Sequence, residues 1–273
     1  MSLQNLPQLR EALDEAGILA AKRFGQHFLL DLNICRKIVK IAEISDGQPV
    51  LEVGPGPGGL TRALLEAGAQ VTAVETDQRF LPLLAAIAEA APQGLRVIHA
   101  DALSIEEAVE VGPGAAVVAN LPYNVGSPLL VKWLTGPLRP ASLTLMFQAE
   151  VAHRIAARPG DDDYGRLAVI SQAVCVARIA MTLPARAFTP PPKVDSAVVR
   201  LTPRPERPAD AILDALQKVT AAAFGQRRKM LRSSVKALGG AALCEQAGID
   251  PDARAETVSV EGFLRLAEIV ARG

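Results

Sequence analysis

The sequence predicts an α/β fold, a parallel sheet covered by helices on both faces, with a small all-helical domain after it. Three observations carry this. From about residue 50 to residue 148, short Val-rich runs alternate with stretches of helical apolar spacing, the pattern that builds a parallel sheet. A glycine-rich segment, GPGPGG, stands where the first run ends. Beyond a proline-rich break, PRPERPAD at 203–210, β-branched runs disappear and helical spacing takes over.

In order, the strand candidates are VLEV (50–53), QVTAVE (70–75), LRVIHA (95–100), AAVVAN (115–120) and SLTLMFQ (142–148). Each is rich in residues that favour pleated structure and is bounded by Gly, Pro or Asp. LTRALLEAG and RFLPLLAAIAEAA, between them, carry apolar residues at helical spacing. VCVARIAMTLPARAF and VDSAVVRLTP alternate as a hairpin-like pair of strands joined through TPPPKV. The expected domains are therefore 1–204, sheet-forming with an N-terminal helical segment, and 205–273, helical.

Composition narrows the function. The chain has 273 residues, of which 49% are hydrophobic, enough for a substantial core. No apolar run reaches the roughly 18 residues that span a bilayer, and MSLQNLPQLREALDEAG mixes charged with apolar positions; a cytoplasmic protein with no membrane partner is expected. Cys35, Cys175 and Cys244 share no metal-ligand or CxxC spacing, so three reduced thiols, no zinc and no disulfide framework are expected. The 29 basic and 29 acidic residues cancel, which argues against a uniformly basic nucleic-acid binder. The distribution is uneven, however. Residues 218–236 hold six basic residues and no acidic one, and residues 22–40 hold five basic residues against Asp31 alone. Such patches are either solvated faces or a footprint for phosphates.

The glycine segment allows two ligands. Gly54, Gly56 and Gly59 fit G-x-G-x-x-G, while Glu52, Gly54, Gly56 and Gly58 fit E-x-G-x-G-x-G. Either way glycines let the backbone approach a nucleotide-like ligand at a strand end. Glu75 closes the second strand, 21 residues after Gly54, where a carboxylate can accept both ribose hydroxyls. Asp101, followed by Ala102, stands after the third strand, placed for an adenine edge or for a helix cap. A dinucleotide pyrophosphate needs several backbone donors, yet Pro55 and Pro57 remove two. This favours S-adenosylmethionine over NAD.

The fourth strand ends in NLPY, Asn120 to Tyr123. NLPY resembles the motif of adenine N6-methyltransferases, and that resemblance implies as nucleophile an adenine N6 amine, a poor one because its lone pair is delocalised into the ring. The side-chain oxygen of Asn120 and the backbone carbonyl of Leu121 or Pro122 can accept its hydrogens and aim the lone pair at a methyl group. Pro122 stiffens the pair, and Tyr123 offers an aromatic face to a base taken out of its stack.

With QHFLLD (26–31), LEVGPGPGGLT, VET, ADAL, NLPY, FTPPPKVDS (188–196) and AFGQRRKMLR (223–232) in this order, the chain resembles the KsgA/RsmA family of ribosomal RNA adenine dimethyltransferases over nearly its whole length. The resemblance implies a Rossmann-like class I methyltransferase sheet, S-adenosylmethionine as cofactor, and two adjacent adenosines in a hairpin near the 3′ end of small-subunit rRNA as substrate. It implies a monomer acting within an assembling 30S subunit. It also implies that Gln26, His27 and Leu29 fold over the donor, with His27 where many relatives carry Asn, and that Phe188 is a second stacking ring. In FGQRRKMLRSSVKAL, Leu231, Val235 and Leu238 fall on one expected helical face and Arg228, Arg232 and Lys236 on another. With Arg227 and Lys229, these basic residues are expected to track an RNA backbone. The erythromycin-resistance large-subunit rRNA methyltransferases share the first domain and are the rival within the class. An NAD-dependent dehydrogenase and a non-enzymatic assembly factor are the rivals outside it, and NLPY counts against both.

Overall fold

The computed structural model describes residues 3–18, 26–226 and 228–273. Arg227 and the basic pair at 22–23 lie outside them. The strands are β1 (Phe28–Leu29), β2 (Pro49–Val53), β3 (Gln70–Glu75), β4 (Leu95–His99), β5 (Ala116–Asn120), β6 (Ser142–Gln148), β7 (Cys175–Leu183), β8 (Phe188–Thr189) and β9 (Ser196–Pro203). The helices are α1 (Leu9–Glu15), α2 (Leu32–Ala42), α3 (Gly59–Glu66), α4 (Leu81–Ala90), α5 (Glu107–Val111), α6 (Gly126–Thr135), α7 (Ala149–Ala156), α8 (Arg166–Val174), α9 (Asp210–Gly225), α10 (Leu231–Ser234), α11 (Gly240–Gln246) and α12 (Val260–Arg272). All five of these expected runs are strands, displaced by at most one residue at an end.

Seven strands form one sheet in the order β4-β3-β2-β5-β6-β9-β7. The pairs β4–β3, β3–β2, β2–β5 and β5–β6 are all parallel. The two runs expected to form a hairpin-like pair are neighbours at one edge of this sheet. Because the chain runs outward from β2 through β3 to β4 and then returns to β5 on the other side, the order reverses between β2 and β5. A crevice at the carboxyl ends of the strands follows from that reversal. The segments at its two lips are GPGPGG, after β2, and NLPY, at the end of β5.

The chain divides into two compact units. The first comprises Met1–Leu130, Pro137–Ala152 and Ile179–Arg200, and the second Val131–Gly136, His153–Arg178 and Leu201–Gly273. In the first, α2 begins at Asp31, whose carboxylate accepts from the Asn33 amide at 2.8 Å, a side-chain N-cap. It buries Cys35, Ile38, Val39 and Ala42 against a core that includes Val50, Val71, Ala116, Leu64 and Leu84. The segment 59–66 buries most of its residues as α3, and Pro82 occupies the first turn of α4, where its missing N–H costs nothing.

In the second unit α9 packs on α12 and both pack on α8. Phe224 stands between Tyr164 and Phe263, with ring centroids 6.0 and 5.3 Å away. The Tyr164 hydroxyl donates to the Val258 carbonyl at 2.9 Å, satisfying a buried polar group. The basic run is not one helix. α9 ends at Gly225, and Arg228 and Lys229 precede α10, which has four residues. The amides of Leu231 and Arg232 donate to the carbonyls of Ala253 and Pro251, at 2.8 and 3.0 Å. Amides committed across the unit cannot donate back along the chain, so helical spacing breaks here. Leu231 and Val235 are buried as expected, and Arg228, Lys229, Arg232 and Lys236 are exposed. All three cysteines are buried free thiols.

Candidate active site

A cavity of about 300 Å³ opens at the switch point. Its lining brings together Gln26, His27, Leu29, Gly54, Gly56, Glu75, Asp101, Ala102, Asn120, Leu121, Pro122 and Tyr123, all of them expected from the sequence. Phe188 is not in it. That ring is 3% exposed and belongs to the core, because β8 pairs antiparallel with β1, Leu29 opposite Phe188 and Phe28 opposite Thr189. Where the resemblance implies a second stacking ring at Phe188, the ring beside Tyr123 is that of His27, with centroids 5.5 Å apart and planes 29° apart.

The glycine loop consumes its own amides. Gly54 N–H donates to the Val74 carbonyl at 2.9 Å and Gly58 N–H to the Pro55 carbonyl at 3.0 Å. Gly56 N–H donates to Glu75 Oε2 at 3.0 Å, and Pro55 and Pro57 have no N–H. From 54 to 58 no amide is left for a pyrophosphate. Gly58, with φ +86°, makes the turn into α3 in a backbone conformation that a side chain would strain.

Glu75 also accepts the Asp77 amide on Oε1 at 2.8 Å. Burial raises its carboxyl above the usual range, and these amide bonds oppose the rise. Each oxygen retains a lone pair beyond the one bonded, so the carboxylate braces the loop and still faces the cavity. Asp101 accepts the Leu103 amide on Oδ1 at 2.9 Å; it is a turn cap and a lining residue at once. Glu52 lines the same cavity at 1% exposure. Burial pushes its carboxyl up to about 8, against the lowering effect of the Thr61 hydroxyl at 2.7 Å and with a further push from Glu75. Glu52 is not among the site residues expected from the sequence, although its place at the head of E-x-G-x-G-x-G was the signal for it.

The segment 26–29 straps one side. Gln26 donates to Asp77 Oδ2 at 2.9 Å and accepts from Arg79 at 3.2 Å. Arg79 holds the Asp77 carboxyl down at about 2. His27 Nδ1 lies 2.8 Å from the Pro190 carbonyl. A carbonyl only accepts, so the proton is on Nδ1. The His27 carbonyl in turn accepts a long bond, 3.4 Å, from Asn120 Nδ2. That bond turns the Asn120 amide so that Oδ1 is the end left for a ligand. Along NLPY, the Pro122 carbonyl already accepts the Val125 and Gly126 amides, both at 3.1 Å.

A profile described as "Ribosomal RNA adenine dimethylase" matches residues 18–272. The chain belongs to the ribosomal RNA adenine dimethylase family. Among its relatives, the Ribosomal RNA small subunit methyltransferase A of Phenylobacterium zucineum is 67% identical over 269 residues, covering 98% of this chain and 94% of the relative. The protein of the same name from Caulobacter vibrioides is 64% identical, covering 93% and 99%. Among solved structures, a dimethyladenosine transferase from Plasmodium falciparum is 26% identical with a TM-score of 0.73, over 88% of this chain and 96% of that one. The 23S rRNA methyltransferase ErmE is 29% identical with a TM-score of 0.67, over 88% and 98%. The dimethyladenosine transferase and the 23S rRNA methyltransferase both share the fold of this dimethylase, while the relatives of highest identity named here carry the small-subunit name.

Proposed function

We propose that this dimethylase transfers methyl groups from S-adenosylmethionine to the N6 amines of two adjacent adenosines near the 3′ end of small-subunit rRNA. It does so as a cytoplasmic monomer acting on the assembling 30S subunit. The observation that carries the reading is the pair of lips on one cavity: a glycine loop with no amide for a pyrophosphate, facing an Asn120 whose amide oxygen is the end left for an amine. Among the described residues no helix is long and apolar enough to cross a membrane.

The donor suits the lining. Three carboxyl groups, Glu52, Glu75 and Asp101, border the cavity, a match for a ligand rich in hydroxyl and cationic groups and a poor one for phosphates. Bound there, S-adenosylmethionine supplies an electrophilic methyl on a sulfonium. Glu75 would accept the ribose hydroxyls, Asp101 and Ala102 would border the adenine, and Gln26, His27, Leu29, Gly54 and Gly56 would close around the rest.

The chain's own residues then prepare the nucleophile. Asn120 Oδ1 accepts one hydrogen of the target amine without bringing a charge that must be desolvated. Because the Pro122 carbonyl is taken by two amides of the following turn, the second acceptor is the carbonyl of Leu121. Tyr123 supplies the face on which the extruded base stacks. In the second unit, Arg228, Lys229, Arg232 and Lys236, with Arg227, contact RNA phosphates and set affinity rather than base choice.

Two measurements test this. Calorimetry should show binding of S-adenosylhomocysteine and little or none of NAD. Small-subunit rRNA from cells lacking the gene should lose a pair of dimethyladenosines that wild-type cells contain. Loss of methylation from large-subunit rRNA instead would favour the ErmE-like reading.

A further inference from the structure

We propose that Ser196 is a positioning residue for methyl transfer, holding the Tyr123 ring in place through a hydroxyl-to-hydroxyl hydrogen bond. The inference rests on the reading that Tyr123 stacks on the target base. Ser196 opens β9 and is fully buried, at 0% exposure. Its Oγ lies 2.8 Å from the Tyr123 hydroxyl. A buried hydroxyl without a partner costs free energy, and among the described residues the phenol is the partner that Ser196 has.

The geometry makes this bond a clamp. A tyrosine ring held only at its Cβ can swing about χ1 and χ2, and the far end of the ring moves most. Ser196 grips that far end. The gripping atom is itself fixed, because the preceding residue is tied down twice. The Asp195 carbonyl accepts the Ala149 amide at 2.9 Å, and its carboxylate accepts the Ala185 amide, also at 2.9 Å. The same loop steadies the neighbouring ring, since the Pro190 carbonyl takes the Nδ1 proton of His27, which stands against Tyr123. One segment, 190–196, therefore orients both rings at the mouth of the cavity, although none of its residues lines the cavity. Burial raises the Tyr123 phenol above its usual value, so at neutral pH it is a hydroxyl able to share a proton with Ser196.

Positioning of this kind acts on the rate. A base stacked on a swinging ring spends less time with its amine in line with the methyl group, and small misplacements of reacting groups are costly. Losing one such bond should lower single-turnover transfer about tenfold. The test is a double-mutant cycle on the full chain with unmethylated small subunits and labelled S-adenosylmethionine. Ser196→Ala and Tyr123→Phe should each slow transfer about tenfold at saturating RNA, and the double variant should be no slower than either single one. Affinity for S-adenosylhomocysteine should be unchanged throughout. Multiplying effects, a normal rate in Ser196→Ala, or a loss in Ser196→Ala that Tyr123→Phe does not share would each overturn the proposal. Tyr123→Ala separates the two layers: if it transfers at the normal rate, the stacking role of Tyr123 fails and takes this inference with it, whereas a severe loss there beside a normal Ser196→Ala overturns the role of Ser196 alone.

Discussion

The carboxyl groups around the cavity and the basic residues between α9 and α11 are the two sets of ionisable groups proposed to meet a ligand, and the chain treats them in opposite ways. Glu52 and Glu75 are buried and individually bonded. Arg228, Lys229 and Lys236 are exposed, and Arg232, 2.6 Å from Asp252, is paired at the surface. Buried carboxyl groups held in place by their own bonds act on one orientation of one ligand. Exposed charges are screened and add up over many phosphates. On the proposed roles, discrimination belongs to the sheet unit and undirected affinity to the helical one.

The largest effect is expected where a single neutral group acts on the reaction itself. Asn120→Ala should slow single-turnover methylation by about two orders of magnitude or more, with RNA affinity nearly unchanged. A comparable loss of RNA affinity would erase the contrast between the two regions.

Next comes the donor. Glu75→Ala removes the acceptor proposed for the ribose hydroxyls and the brace of Gly56, and should weaken S-adenosylhomocysteine binding by about ten- to a hundredfold in calorimetry. Salt should hardly matter to that affinity.

Salt should matter to the other region. Neutralising Arg228, Lys229 and Lys236 together should weaken RNA binding and lower the slope of log affinity against log salt by about three. Donor affinity should stay as it was. Arg232 is a mixed probe, because its ion pair with Asp252 means that its removal also leaves a carboxylate alone. An unaltered slope would mean that these residues face solvent only.

The last effect is on stability rather than on rate or binding. Burial lifts Glu52 from an ordinary 4.5 to about 8, so the folded chain keeps that proton where the unfolded chain has lost it. Stability contributed by the protonated form is complete below about pH 4.5 and falls as pH rises towards 8. Glu52→Gln should flatten the decline of the unfolding midpoint across that window. A slope identical to wild type would mean that Glu52 is solvated after all.

What was legible in the sequence was local. Strand ends were readable because the β-rich runs stop at or near Gly, Asp or Asn, and the residues proposed to meet a ligand stand at those ends in order: Glu75, Asp101, Asn120. What was not legible depends on pairings between distant segments. Nothing near Phe188 announces that it will pair with Leu29 and turn its ring into the core. Nothing in FGQRRKMLR shows that Leu231 and Arg232 will send their amides to Ala253 and Pro251. Glu52 stood in plain view in its motif, but its burial beside Glu75 needed the sheet.

The ribbon of β1 and β8 has a kinetic side. It joins segments about 160 residues apart, with His27 and Pro190 separated by 163 positions. Closing so long a loop is entropically costly until the strands between are in place. The mouth of the cavity is thus expected to close late, after the parallel strands have paired, and a chain still emerging during synthesis would have no enclosed donor site until β8 is available. Pulsed hydrogen exchange during refolding would show it, with the β1 amides protected after those of β2 and β3.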